Sequence, residues 1–281
     1  MDNSIIKLEN VTYTYEDGTK ALNSVSFVIK KGQKIAFLGA NGSGKSTLFL
    51  CLNGVLKPKS GTIYYKNEPI NYSRKGLLNL RSKVGIVFQD PDNQLFSASV
   101  YQEISFGILN LGVTKEDAKT KVEAVIDELE ITHFRHKPTH FLSGGQKKQV
   151  AIADVLVMDP EVVILDEPAT SLDPKHSEIV NTMIDKLQKR GITVIISTHD
   201  VNHALEWADK IFIFKDGIIT AQGKPEEIFM DTVTLYGSNL LQPAVIQLYS
   251  NLCDKGIFDR NLPVPKNLKM LEKYVEDSIR R

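Results

Sequence analysis

The stretch GANGSGKST, residues 39–47, constrains this chain more than any other. A short apolar strand, KIAFLG, runs into it, and an apolar helix, KSTLFLCLNG, leaves it and stops near Gly54. In that context Gly39, Gly44, Lys45 and Ser46 satisfy the spacing of a phosphate-binding loop, whose glycines let successive backbone N–H groups turn inward on a β-phosphate. The helix N-terminus adds partial positive charge, Lys45 reaches the β and γ oxygens, and the Ser46 hydroxyl suits Mg²⁺. At an effective dielectric near 20, one lysine–phosphate pair at about 4 Å is worth roughly 4 kcal/mol. Lys45 alone can therefore decide whether a nucleotide stays bound.

The second half of such a site is VVILDEP, a buried strand that delivers Asp166 to hold Mg²⁺ and Glu167 to orient or deprotonate a water. Two adjacent acids at a strand end repel each other, and a bound cation relieves that cost. VVILDEP and ITVIISTH are both nearly all apolar, as parallel strands covered on both faces must be. Three other segments read as antiparallel: residues 5–15 with residues 24–29 across the turn EDGTK, and IFIFKDGIITAQG as a hairpin about Asp216 and Gly217. GTIYYKNEPI is a further strand segment. Tyr13 and Tyr15 offer a stacking face for a base, Tyr15 at the strand end being the better placed and Tyr13 the better core residue.

Between residues 100 and 159 the apolar period becomes helical, so this block reads as an inserted helical subdomain of about residues 90–160. Thr114 caps a helix with Asp117 at its third position and an apolar stripe of Ala118, Val122, Val125, Ile126 and Leu129. Inside the block lies a second glycine loop, LSGGQ, where Ser143 caps the next helix and Gly144 and Gly145 expose backbone N–H groups. One phosphate needs one cradle. If the helical block lies away from the first loop, two chains arranged head to tail can each give a Ser143 loop to the nucleotide on the other.

Lys plus Arg and Asp plus Glu both number 34, so no net positive charge draws the chain to nucleic acid. The apolar runs fall far below the ~18 residues of a membrane helix, and MDNSIIKLEN has no secretory h-region. The expectation is a soluble chain that stays where it is made. Cys51 and Cys253 form no CxxC pair, which fits a reducing compartment. His133, His136 and His140 have helical spacing, but Pro138 breaks that geometry and the segment reads as a linker. The tail beyond Lys224 carries a helix with Leu268, Leu271, Val275 and Ile279 on one face.

Taken in order, these motifs resemble the ATP-binding-cassette (ABC) ATPases over residues 3–223. The set is Tyr15 as the A-loop aromatic, GANGSGKST as Walker A, Gln89 as the Q-loop, LSGGQ as the signature, VVILDE as Walker B, SLD ending in Asp173 as the D-loop, and His199 as the switch histidine. The resemblance implies an α/β fold with a RecA-like parallel-sheet core, an antiparallel β subdomain, an inserted helical subdomain and a small, mostly helical C-terminal domain. It implies ATP and Mg²⁺ as ligands: Tyr15, Gly39, Ala40, Asn41, Gly42, Ser43, Gly44, Lys45, Ser46 and Thr47 on the nucleotide, and Ser46, Gln89 and Asp166 on the metal. Glu167, His199 and Gln89 would be catalytic. Ser143, Gly144, Gly145, Gln146 and Asp173 would act in trans, from a second subunit, identical or paralogous. Where family members continue LSGGQ with Lys-Gln-Arg, this chain has Lys147, Lys148 and Gln149, so the ion pair of that arginine is missing.

A narrower resemblance lies in GIVFQDPDNQLFSASVYQEISFGILNLGV, residues 85–113, which is similar to the Q-loop and following helix of energy-coupling-factor importer ATPases, nearest the cobalt or nickel type. It implies a transmembrane coupling subunit seated on that surface, a substrate-capture membrane protein, no nucleic acid, and a peripheral place on the cytoplasmic face of the cell membrane. A vitamin or other micronutrient as cargo is the alternative, and a soluble cassette acting on nucleic acid or ribosomes is the alternative from another class. The boundaries expected are 1–223 for the nucleotide-binding domain and 224–281 for a C-terminal extension that helps hold two ATPases together.

Overall fold

The computed structural model describes residues 3–279. Along the chain run β1 (Ser4–Thr14), β2 (Lys20–Lys30), β3 (Lys34–Leu38), α1 (Lys45–Leu52), β4 (Ser60–Tyr65), β5 (Glu68–Pro69), α2 (Arg74–Lys83) and β6 (Val84–Val87). Then follow α3 (Val100–Asn110), α4 (Lys115–Glu128), α5 (Gly144–Leu156), β7 (Val162–Leu165), α6 (Pro174–Lys189), β8 (Thr193–Ser197) and α7 (Val201–Trp207). The last elements are β9 (Lys210–Lys215), β10 (Ile218–Gly223), α8 (Pro225–Met230), α9 (Thr232–Gly237), α10 (Ala244–Asp254) and α11 (Leu268–Ile279). The residues gather into two compact units: the described residues up to Gln33 with Ser46–Ser197, and Lys34–Lys45 with the described residues from Thr198 onward.

In the first unit, the antiparallel sheet has the order β2-β1-β4-β5. The GTIYYKNEPI segment breaks into two strands because Lys66 and Asn67 both take the left-handed conformation, at φ 51° and 65°, and reverse the chain. The strands β6, β7 and β8 pair in parallel, with Ile86 opposite Ile164 and Ile164 opposite Ile195. All of β7 and β8 is buried, as expected for strands with no solvent face. Ser99, Thr114 and Ser143 cap α3, α4 and α5, each accepting a backbone N–H from the third residue beyond it. The stripe of Ala118, Val122, Val125, Ile126 and Leu129 is buried as its spacing predicts. Burial holds the Cys51 thiol up at about 12, which keeps it unreactive.

In the second unit, β3 pairs in parallel with β9, and β9 pairs antiparallel with β10 across the Asp216–Gly217 turn, at φ 48° and 75°. The tail helices pack here: α8 lies against α7, β9 and β10, Lys215 Nζ donates to the Gly237 carbonyl at 2.7 Å, and Asn267 Nδ2 donates to Glu206 Oε1 at 2.8 Å. The apolar face expected on α11 exists, but only Leu271 of it is buried; Leu268 and Ile279 are 63% and 79% exposed. Among the described residues no helix is long and apolar enough to cross a membrane.

Candidate active site

The phosphate loop leaves β3 at Gly39, where φ is 148° and an added Cβ would stand 2.1 Å from the Phe214 carbonyl oxygen. Only glycine fits there, because backbone from the β9 end has already taken the space. The turn is closed by Ser43 N donating to Ala40 O at 3.2 Å, and it is tied to the hairpin by Gly217 N donating to Ser43 O at 2.9 Å. Lys45, 5% exposed, donates from Nζ to Gly39 O at 2.8 Å, Ala40 O at 3.0 Å and Ser43 Oγ at 3.3 Å. Its ammonium is thus held inside the loop on neutral acceptors, and ionised phosphate oxygens are stronger ones. Asn41, Gly42 and Gly44 complete the curve, with Gly42 and Gly44 at φ 78° and 110°. His199 follows β8 and is exposed, just before Asp200 caps α7.

Ser46 and Thr47 belong to the first unit. Tyr15 Oη and Thr47 Oγ1 are 2.9 Å apart, so Tyr15 is pinned to the first turn of α1 while it remains 38% exposed. Tyr13 meets the Tyr15 ring edge-on, at 5.0 Å between centroids. Beyond β7, Ser197 Oγ donates to Asp166 Oδ1 at 2.5 Å and accepts the Glu167 N–H at 2.8 Å. One hydroxyl from β8 therefore fixes both acids, each 7% exposed. Glu167 carries a φ of 44°, a strained value for a residue with a Cβ and of the kind that collects at working sites. Its Oε2 accepts from Thr170 Oγ1 at 2.8 Å and from Gln89 Nε2 at 3.4 Å.

The donor set fits Mg²⁺. Ser197 takes one Asp166 oxygen and leaves Oδ2, Gln89 uses its Nε2 and leaves Oε1, and Ser46 adds an exposed hydroxyl. All are the hard oxygens that this ion requires.

The signature loop is built differently. Ser143 Oγ accepts from Gln146 N at 3.3 Å, and Gln146 Oε1 accepts from Ser143 N at 3.2 Å, a capping box in which each side chain accepts the other's backbone N–H and keeps its own donor. Gly144 is exposed, whereas Gly145 is buried against the His176 ring: a Cβ there would stand 2.3 Å from His176 Cδ2. His176 Nδ1 lies 2.6 Å from Asp173 Oδ2, and Asp173 Oδ1 caps α6 by accepting from His176 N at 3.0 Å. These bonds from His176 hold the Asp173 carboxyl below its usual range.

The structure thus pairs Tyr15 with Thr47, Gln89 with Glu167, and Ser143 with Gln146, and it packs Gly145 and Asp173 on a residue that sequence reasoning passed over, His176. Ser197 and Thr170 were missed as well. So was Lys148, which is 1% exposed and donates to the carbonyls of Phe88 at 2.9 Å and Gln89 at 2.7 Å. A signal existed: Lys148 stands one helical turn from Ala151 and Ile152, on the apolar side of α5. Gln149, in the place of the family's arginine, is half-buried, while Lys147 pairs with Asp92 at 2.5 Å. His133, His136 and His140 sit in separate turns beside Phe134, Tyr101 and Phe141.

Comparison with known proteins gives the family. The family model described as ABC transporter matches residues 22–170, and one described as AAA domain, putative AbiEii toxin, matches residues 137–205. An energy-coupling factor transporter ATP-binding protein, EcfA2 of Clostridium perfringens, is 48% identical over 259 residues, 92% of this chain and 91% of the relative. The solved structure of cbiO1 from Clostridium perfringens, part of the ABC transporter complex cbiONQ, superposes with TM-score 0.75 at 47% identity over 89% of this chain and all of that one. The dimeric post-hydrolysis state of the cassette MJ0796, bound to ADP and Pi, superposes with TM-score 0.72 at 30% identity over 79% of this chain and 99% of that one.

Proposed function

Since the chain belongs to the ABC transporter ATPases, in the group of energy-coupling-factor ATP-binding subunits, we propose that it drives uptake of cobalt or nickel ions by ATP-dependent closure of an ATPase pair. In this reading Lys45 and the loop N–H groups of residues 39–47 hold the β- and γ-phosphates, and Tyr15 stacks on the base. Ser46, Gln89 and Asp166 would hold Mg²⁺, which when bound would neutralise charge on the phosphates. Glu167 takes a proton from the attacking water as its oxygen bonds to the γ-phosphorus and ADP departs. His199 steadies the γ-phosphate. Ser143, Gly144, Gly145 and Gln146 of each subunit close on the nucleotide of the other, and Asp173 touches the opposite subunit.

The observation that carries the reading is the pairing of Gln89 with Glu167 at 3.4 Å, beside an Asp166 already fixed by Ser197. It aims the acid that must receive a proton and leaves oxygen donors for a cation. The dimeric cassette at 30% identity supports closure in pairs. The cargo rests on the likeness of residues 85–113 to metal importers, where Phe96 and Phe106 stand 67% and 48% exposed as a face for a membrane subunit. A peripheral position on the cytoplasmic face, carried by a coupling subunit and a capture protein, follows from the same likeness, as does the C-terminal extension of 224–281 as a dimer clasp.

The test is reconstitution in vesicles with the copurified membrane subunits, followed by measurement of ATP hydrolysis and labelled cobalt uptake. Uptake that requires ATP and vanishes in Glu167→Gln supports the proposal. Uptake of a vitamin instead replaces the cargo, and hydrolysis stimulated by nucleic acid without membranes overturns the transport role.

A further inference from the structure

Lys148 points into the body of the first unit from the buried side of α5, with its ammonium on two consecutive carbonyls of the Q-loop, Phe88 O and Gln89 O. The same stretch is held to α5 by a second route: Phe88 N donates to Gln94 Oε1 at 3.2 Å, and Gln94 Nε2 donates to the Ala151 carbonyl at 3.1 Å. Past these anchors, the Gln89 side chain meets Glu167 at 3.4 Å. Burial pulls Lys148 down to about 8, and Asp166, Asp90 and Glu167 pull the other way. Removing this ammonium would take its donor from both carbonyls, a loss that buried acceptors feel.

We infer that Lys148 is a positioning residue for hydrolysis: by gripping the carbonyls of Phe88 and Gln89 it ties the Q-loop to the helix that begins at the signature glycines, and so aims Gln89 at Glu167. The inference rests on the ATPase reading above. The grip needs N–H donors. An ammonium has three, a primary amide two and a thioether none. Lys148→Gln therefore keeps a tether that Lys148→Met removes.

The experiment compares the wild-type chain with both variants in the reconstituted complex by steady-state kinetics. It adds amide hydrogen exchange at Gln89 and Asp90 on the nucleotide-free protein. Lys148→Met is expected to lower kcat about tenfold or more, as small misplacements of catalytic groups do, with KM for ATP changed by less than about threefold. Exchange at Gln89 and Asp90 should rise, and Lys148→Gln should recover most of both. Wild-type kcat and exchange in Lys148→Met would overturn the inference while leaving the ATPase reading intact, as would a Lys148→Gln chain no better than Lys148→Met. Should Lys148→Met fail to fold, a folded Lys148→Gln chain with fast local exchange and wild-type kcat, or with wild-type exchange and low kcat, would overturn it too. A wild-type complex without ATPase activity would overturn the functional reading instead, and the exchange arm still decides whether the tether exists.

Discussion

The two glycine loops differ in what each can present to a phosphate. The loop of residues 39–45 carries its own cation, with Lys45 buried on three acceptors of the loop itself. The signature loop has no charged side chain among Ser143–Gln146: it offers backbone N–H groups at the start of α5 and a Ser143 hydroxyl whose oxygen already accepts the cap bond, with Gly145 pressed on His176. A loop with a full charge can hold a triphosphate alone; a loop with only helix dipole, worth typically ~0.3–1 kcal/mol, can finish a site but not found one. That asymmetry is the physical reason for reading the first loop as the binding site and the second as the piece a neighbour supplies.

The largest effect should come from removing the charge. Lys45→Ala is expected to cost roughly 4 kcal/mol of nucleotide binding, about a thousandfold in affinity, read by calorimetry; near-normal affinity would erase the contrast between the loops. Gly145→Ala strikes the other loop. With His176 in the way, either the signature backbone or the His176 side chain that bonds Asp173 must shift, and hydrolysis should fall about a hundredfold while ATP affinity of the separate subunit, read by the same calorimetry, stays at wild type. A matching loss of affinity would mean that the second loop also founds a site.

Tyr15→Ala should weaken ATP binding by ~1–3 kcal/mol and leave the choice of base unaltered, since a ring face reads no base edge. Competition between ATP and GTP measures it, and a variant that changes preference would give Tyr15 more than stacking. The smallest effect on the separate subunit is that of Ser143→Ala. Loss of the cap should lower stability by about 1 kcal/mol, seen in urea unfolding, and a stability loss several times larger would show that Ser143 holds more than its own helix.

Much of this was legible because the contacts are local in sequence. Lys45 bonds residues within six positions of itself, Ser143 within three, and Thr114 caps its helix through Asp117 as the spacing predicts. What escaped is long-range or shape-based. Lys148 reaches carbonyls 59 and 60 residues away, and carbonyls leave no mark on a motif. Ser197 joins Asp166 and Glu167 across neighbouring parallel strands, a pairing that register sets and composition does not. His176 matters through the space beside Gly145. The α11 face shows the converse: its period was readable, but burial of Leu271 with exposure of Leu268 and Ile279 depends on what else packs there. The short α2 and β6 carried too little pattern to be read at all.

These contacts also close a circuit within one chain. From α5 the path runs through Lys148 to Gln89, on to Glu167 and Thr170, along the turn to Asp173, and through His176 back to Gly145. Glu167 and the signature loop therefore lean on the same helix, so under the proposed mechanism engagement of that loop by a second subunit is transmitted to Glu167.

Dilution tests the central claim most directly, namely that hydrolysis needs two subunits. ATP turnover per subunit is measured as the purified ATPase is taken from high to low concentration at saturating ATP. Turnover per subunit should fall in proportion to concentration once the pair dissociates. A value that stays constant where sedimentation shows only single subunits would contradict the account.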